Sequence, residues 1–195
     1  MRLLPEDPVK RGRIQLLLLI TVFLLPLVGS GLAYLFGWST GQTSNYGELI
    51  EPRAAPQSVL GTLDGRTLRL DALQGKWVLL QFDAPACDAR CERKLYTMRQ
   101  VRKALGIDQA RVERVWALTG EGRPASQLLD AIEGTQVLRA SEPAFGAAFP
   151  ARRDLRDHIF LIDPRGNLMM RFPPDPDPSR VIKDLQRLLR YSAVG

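Results

Sequence analysis

The chain has 195 residues, room for one membrane anchor and one domain of ordinary size but not for two independent cores. Apolar residues make up 45% and charged residues 25%, a globular composition. The formal charge of +6 would suit nucleic acid, yet the arginines are spread through the chain and no basic run interleaves with aromatics, so nucleic-acid binding is not expected.

Residues 1–13 form a short basic N-terminus carrying Lys10, Arg11 and Arg13. From Ile14 to Phe36 no charged residue occurs, and at 1.5 Å per residue this run covers about 34 Å, enough to cross a hydrocarbon core. A cleaved signal peptide would have a shorter apolar core and a clear small-residue cleavage site; Gly31-Leu32-Ala33 is a weak one. The expectation is therefore one transmembrane helix over 14–38, ending near the interfacial aromatics Tyr34 and Trp38. Basic residues precede the span and none follows it closely, so the N-terminus should be cytoplasmic and the rest exported, to the periplasm in a bacterium. Residues 39–56, rich in polar residues, Gly and Pro, read as a linker, and 57–195 as the exported domain.

Within that domain, Val59 to Leu70 alternates around the turn signal Asp64-Gly65 and predicts a hairpin. Trp77 to Phe82 is a nearly continuous apolar run, as a strand buried on both faces should be. Leu95, Met98, Val101 and Leu105 then recur at helical spacing until Gly106. Val112 to Leu118 predicts a strand, Ser126 to Ile132 a helix stopped by Gly134, and Ile159 to Ile162 a strand. That last strand turns through Asp163-Pro164-Arg165-Gly166-Asn167 into Leu168 to Phe172. Asp177-Pro178 caps and opens a final helix with Val181, Ile182, Leu185, Leu188 and Leu189 on one face. Strands alternating with helices argue for an α/β layer structure, and a cysteine pair at the first strand-to-helix junction makes it a thioredoxin-like sheet with flanking helices.

The chain has two cysteines, Cys87 and Cys91, and one histidine, His158, so a redox or metal site has almost no choice of residues. Spacing of four on a helical turn brings the thiols to one face, and a helix N-terminus favours thiolate, the nucleophile of disulfide exchange and the ligand of soft metals. A structural disulfide is the plainer alternative, though so short a loop gains little stabilisation from closure. His158, just before the Ile159–Ile162 strand, should face the cysteine helix, with Asp157 beside it to orient the ring. Two thiolates and an imidazole suit Cu(I) and can hold Cu(II). As a surface-loop residue, His158 should contribute little to the core.

A strand, Cys87-x₃-Cys91, then Asp157-His158 followed by Leu161-Ile162-Asp163-Pro164-Arg165-Gly166, together with Leu63-Asp64-Gly65 and Leu70 to Lys76, resembles the Sco/SenC family of membrane-anchored copper chaperones over about residues 57–190. Proline follows each cysteine in that family; Asp88 and Glu92 stand here, and the loop after the second strand is reduced to Thr119 to Pro124. The resemblance implies copper held by Cys87, Cys91 and His158. It also implies a role in assembling the copper centre of cytochrome c oxidase, with that enzyme's copper-bearing subunit as partner. The alternative is a membrane-anchored thiol–disulfide oxidoreductase, with Cys87 and Cys91 as redox pair, that keeps cuproprotein thiols reduced. The first role is not that of a turnover enzyme; the second would be catalytic.

Overall fold

The computed structural model describes residues 8–36, 45–140, 143–192 and 194. They form two compact units, 1–44 and 45–195, taken separately below.

The described part of the first unit holds one helix, α1 (Pro8–Leu35), which continues through Pro26. Among the described residues it is the one helix long and apolar enough to cross a membrane, with mean hydropathy 2.4 over the most apolar part of Val9–Leu35. It begins earlier than expected, so Lys10, Arg11 and Arg13 lie on its first turns. Pro8 explains the start: its missing N–H is no loss at a first helical position. Trp38 and residues 39–44 fall outside the described residues.

The second unit contains β1 (Glu48–Ala54), β2 (Val59–Thr62), β3 (Thr67–Arg69), β4 (Trp77–Asp83), α2 (Ala89–Ala104), β5 (Val112–Leu118), α3 (Ser126–Ala131), β6 (Gln136–Arg139), α4 (Pro143–Ala147), β7 (Ile159–Ile162), β8 (Asn167–Phe172) and α5 (Pro178–Tyr191). The eight strands form one mixed sheet in the order β1-β8-β7-β4-β5-β6-β2-β3. β4 runs parallel to β5 and β5 to β6, while the other neighbours are antiparallel. This is the expected thioredoxin-like α/β architecture. β4 lies at the centre with all seven residues buried, which is why its sequence reads as an apolar run.

Alternation along β4 divides the core between two faces. Leu79 joins Met98 and Val101 of α2, Leu161 of β7, Met170 of β8 and Val181 and Leu185 of α5. Val78, Leu80 and Phe82 face the other way, where Phe82, Phe145, Phe149 and Phe160 form an aromatic cluster with ring centroids 4.9–6.0 Å apart. Each such side chain contributes about 1.5–3 kcal/mol by leaving water.

The linker expected over 39–56 ends sooner than the sequence suggests. β1 pairs antiparallel with β8, Glu48 opposite Arg171, and adds an outer strand. Along β1 only Ile50 turns inward, so no alternation marks it, and Pro52 is tolerated because the strand is an edge. Asp184 on α5 secures the entry to this strand: its Oδ2 accepts from the N–H groups of Tyr46 and Gly47, both at 2.8 Å. Gly47 must be glycine, since a Cβ there would overlap Met170 and Phe172.

Candidate functional site

β4 delivers the chain to the site. Its last residue, Asp83, leads through Ala84-Pro85-Ala86 to Cys87, Asp88 caps α2, and Cys91 lies in the first turn. Cys87 and Cys91 are joined in a disulfide with a Cα–Cα distance of 5.3 Å. Cys91 is fully buried against Leu95, Trp116, Leu118 and Ile132, whereas Cys87 is partly exposed at the edge of the same cluster.

The helix N-terminus is not the open donor array that the spacing suggested. The Asp88 carboxylate accepts from the N–H groups of Arg90 and Cys91, both at 2.9 Å. The bond from Cys91 N–H is the main reason its carboxyl sits below the usual range. A fixed negative charge therefore occupies the position where a thiolate would gain from the helix dipole.

Three polar residues around the disulfide escaped the sequence reading. Gln81 is fully buried in the middle of β4, and its Nε2 donates weakly to Cys91 Sγ at 3.8 Å. Gln81 Oε1 has no partner among the described residues. Asp83 and Lys94 form a buried ion pair, Nζ to Oδ2 3.1 Å, and Lys94 also donates to the Arg156 carbonyl. Burial pulls the Lys94 ammonium below its ordinary pKa, and the Asp83 charge opposes that pull. A signal for Lys94 exists in the sequence: it stands three residues after Cys91 and one before Leu95, on the buried stripe of α2.

The Lys94–Arg156 bond, with Arg90–Asp157 at 3.2 Å, clamps the turn before β7 onto the first turns of α2. The expected packing of that turn against the cysteine helix is thus present. His158 itself differs from expectation in two ways. It is buried, at 5% exposure, with its ring edge-on to Phe160. Its orienting partner is the Phe172 carbonyl, 2.8 Å from Nδ1, and not Asp157, which is engaged with Arg90. A carbonyl can only accept, so Nδ1 carries a proton, and in the neutral ring the lone pair is then on Nε2.

The structure thus brings Cys87 and Cys91 together as a disulfide, with His158 on the element clamped to the cysteine helix. Among the described residues, no three His, Cys, Asp or Glu side chains gather closely enough to hold a metal. The shortened loop after β5 packs against the approach to Cys87: a Cβ on Gly122 would contact Pro85, and Arg139 holds the Gly122 carbonyl at 2.9 Å.

No curated protein sequence matches this one. Among solved structures, apo Sco1 from Thermus thermophilus is 23% identical, with TM-score 0.62, covering 76% of this chain and 99% of its own. Copper-bound yeast Sco1 is 14% identical, with TM-score 0.59 over 78% of this chain and 97% of its own. The thioredoxin domain of a thiol-disulfide oxidoreductase from Bacteroides vulgatus is 14% identical, with TM-score 0.53 over 72% of this chain and 99% of its own. At these identities the likeness is one of fold, shared by Sco-type and disulfide-exchange proteins alike. The family model that matches is the transmembrane-like, thioredoxin-like, C-terminal domain, over residues 77–192. That span takes in β4, the disulfide, His158 and α5, and the chain belongs to this family.

Proposed function

We propose that the domain is a thiol–disulfide exchange module, anchored by α1 and carried on the periplasmic side of a bacterial inner membrane. The observation that supports it is the asymmetry of the pair: a partly exposed Cys87 joined to a fully buried Cys91. An incoming thiolate attacks the accessible Cys87 sulfur, and the electron pair of the S–S bond leaves on Cys91. The Gln81 amide N–H is positioned to meet that charge. A second client thiol then displaces Cys87, so the client gains a disulfide and this chain two thiols; run in reverse, the reduced pair reduces a client. The basic first turns of α1 support the export of the domain.

A second reading, in which the reduced pair carries copper as cargo, is favoured by the His158 ring. A metal-bound imidazole ordinarily donates its other N–H to a carbonyl, and the Nδ1–Phe172 bond leaves Nε2 as the donor nitrogen. On this reading the donors would be Cys87, Cys91 and Nε2 of His158, once the disulfide is reduced and the ring is brought to the sulfurs. The Sco/SenC resemblance supports the copper-bearing subunit of cytochrome c oxidase as the client in either reading.

The test equilibrates the detergent-solubilised full chain in thiol–disulfide buffers and counts alkylated cysteines by mass. Reversible two-electron titration above about −300 mV supports exchange; a disulfide that stays closed below that potential is structural and refutes it. The reduced chain is then titrated with copper. Loss of Cu(II) but retention of Cu(I) in His158→Ala supports the cargo reading, and equal Cu(II) binding by that variant removes it.

A further inference from the structure

On the α2 face of the sheet, away from the disulfide, β5 carries a charged residue where an apolar one would be expected. Arg114 lies between Val112 and Trp116 on the inward side of the strand and is only 3% exposed. Its guanidinium donates once, from Nη2 to the Glu133 carbonyl at 2.7 Å. Nε and Nη1 are buried and have no partner among the described residues. The nearest acidic residue along the chain, Glu113, is committed to Lys76 at 2.6 Å. A guanidinium cannot shed its charge, so a buried one without a carboxylate is costly unless something else completes it.

Arg114 lines a cavity of about 150 Å³ together with Arg99, Arg102, Lys103, Gln109 and Glu133. Arg102 is held in place by its Nε bond to the Val112 carbonyl at 2.7 Å. Gly134, at φ +78°, turns the Glu133 carbonyl towards Arg114, and a Cβ there would stand 3.1 Å from Nη2. Burial, and then the charges of Arg102 and Arg99, all work against the Arg114 cation. Arg99, Arg102, Lys103 and Arg114 thus line one space, with Glu133 as the one acidic residue in the lining.

We propose that this cavity is a binding site for a phosphate group, with Arg114 at its floor and Arg99, Arg102 and Lys103 around its mouth. A tetrahedral oxyanion accepts from several donors at once and matches the fork of a guanidinium. The same chemistry is presented by free phosphate and by the headgroup of an anionic phospholipid. The site is separate from the cysteine pair and does not depend on its role.

The experiment uses the full chain, first in nonionic detergent with inorganic phosphate against chloride of equal ionic strength. It then uses nanodiscs of phosphatidylcholine with and without phosphatidylglycerol, read by thermal midpoint and by amide exchange over residues 99–114. Two variants accompany the parent: Arg114→Met, and the surface double variant Arg99→Gln/Lys103→Gln, which leaves the core untouched. Saturable stabilisation by inorganic phosphate, at least tenfold weaker in both variants, supports a free-phosphate site. Protection by phosphatidylglycerol alone, lost in the variants, supports a headgroup site. If neither anion protects the segment, or if the variants respond as the parent does, the proposal is overturned. The latter includes lipid bound only at Lys10, Arg11 and Arg13. Should Arg114→Met fail to fold, the double variant decides the outcome.

Discussion

Lys94→Met should be one of the most damaging single substitutions in the domain, although it removes a charge from a helix. The Lys94 and Asp83 side chains are 5% and 11% exposed and meet at 3.1 Å, so the variant leaves a carboxylate in the interior with, among the described residues, the Ala84 N–H at 3.0 Å to satisfy it. Breaking one side of a buried pair costs about 3–5 kcal/mol. In a domain of this size that corresponds to a fall of about 6–20 °C in unfolding midpoint. Adding Asp83→Asn should restore more than half of the loss, because the stranded charge is then gone. Restoration should not be complete, since the bond from Lys94 to the Arg156 carbonyl is still missing. Lys76→Met serves as the control: its pair with Glu113 is 45% and 15% exposed and should cost no more than about 1 kcal/mol. Thermal and denaturant unfolding of the full chain in detergent measures all four. A single variant within about 1 kcal/mol of the parent, or a double variant no better than the single, would refute this account of the pair.

Two further outcomes follow from charges near the ends of elements. Glu48 is held down to a pKa of about 2, first by its bond from Arg171 and then by that from Arg152. Its stabilisation is therefore complete above about pH 4.5 and lost as the pH falls towards 2. Because its side chain is 44% exposed, the amount is no more than about 1 kcal/mol, and Glu48→Gln should flatten that acid limb of the stability profile. Asp88→Asn keeps a capping oxygen while removing its charge, so the reduced Cys87 should alkylate faster at neutral pH with little change in midpoint; an unchanged rate would show that the cap charge does not restrain the thiol.

The parts of the fold that were legible in the sequence are those whose burial is two-sided or strictly periodic. β4 declares itself through Trp77 to Phe82, α2 through Leu95, Met98 and Val101, and α5 through Asp177-Pro178 and its apolar stripe. β1 was hidden because an edge strand with one inward residue has no alternation to show, and β6 and α4 are only four and five residues long. At the site, residue types and spacing identified the cysteines, but not the company they keep. Asp88 is an acidic residue in a place where the dipole argument considers only the thiol, and it takes the donors first. Gln81 is a polar residue inside an apolar run, which the pattern passes over, and the spacing of Lys94 marks its place on the buried stripe of α2 but not its partner Asp83. His158 was expected near the surface as a loop residue, yet the charges before it are spent on pairs, Arg156 with Asp154 and Asp157 with Arg90, and the ring itself turns inward to the Phe172 carbonyl.

The position of β1 also determines where the chain can be cut. Trimming the anchor back to residue 57 would remove the outermost ribbon of the sheet and leave the β8 backbone with an unpaired row of donors and acceptors. It would also strand the Asp184 carboxylate, whose two amide donors come from residues 46 and 47, and uncover Met170 and Phe172 where Gly47 now covers them. A protease that separates the two units would meet the same boundary: cleavage before Asn45 releases an intact body, whereas cleavage a dozen residues later releases one with a sticky flank.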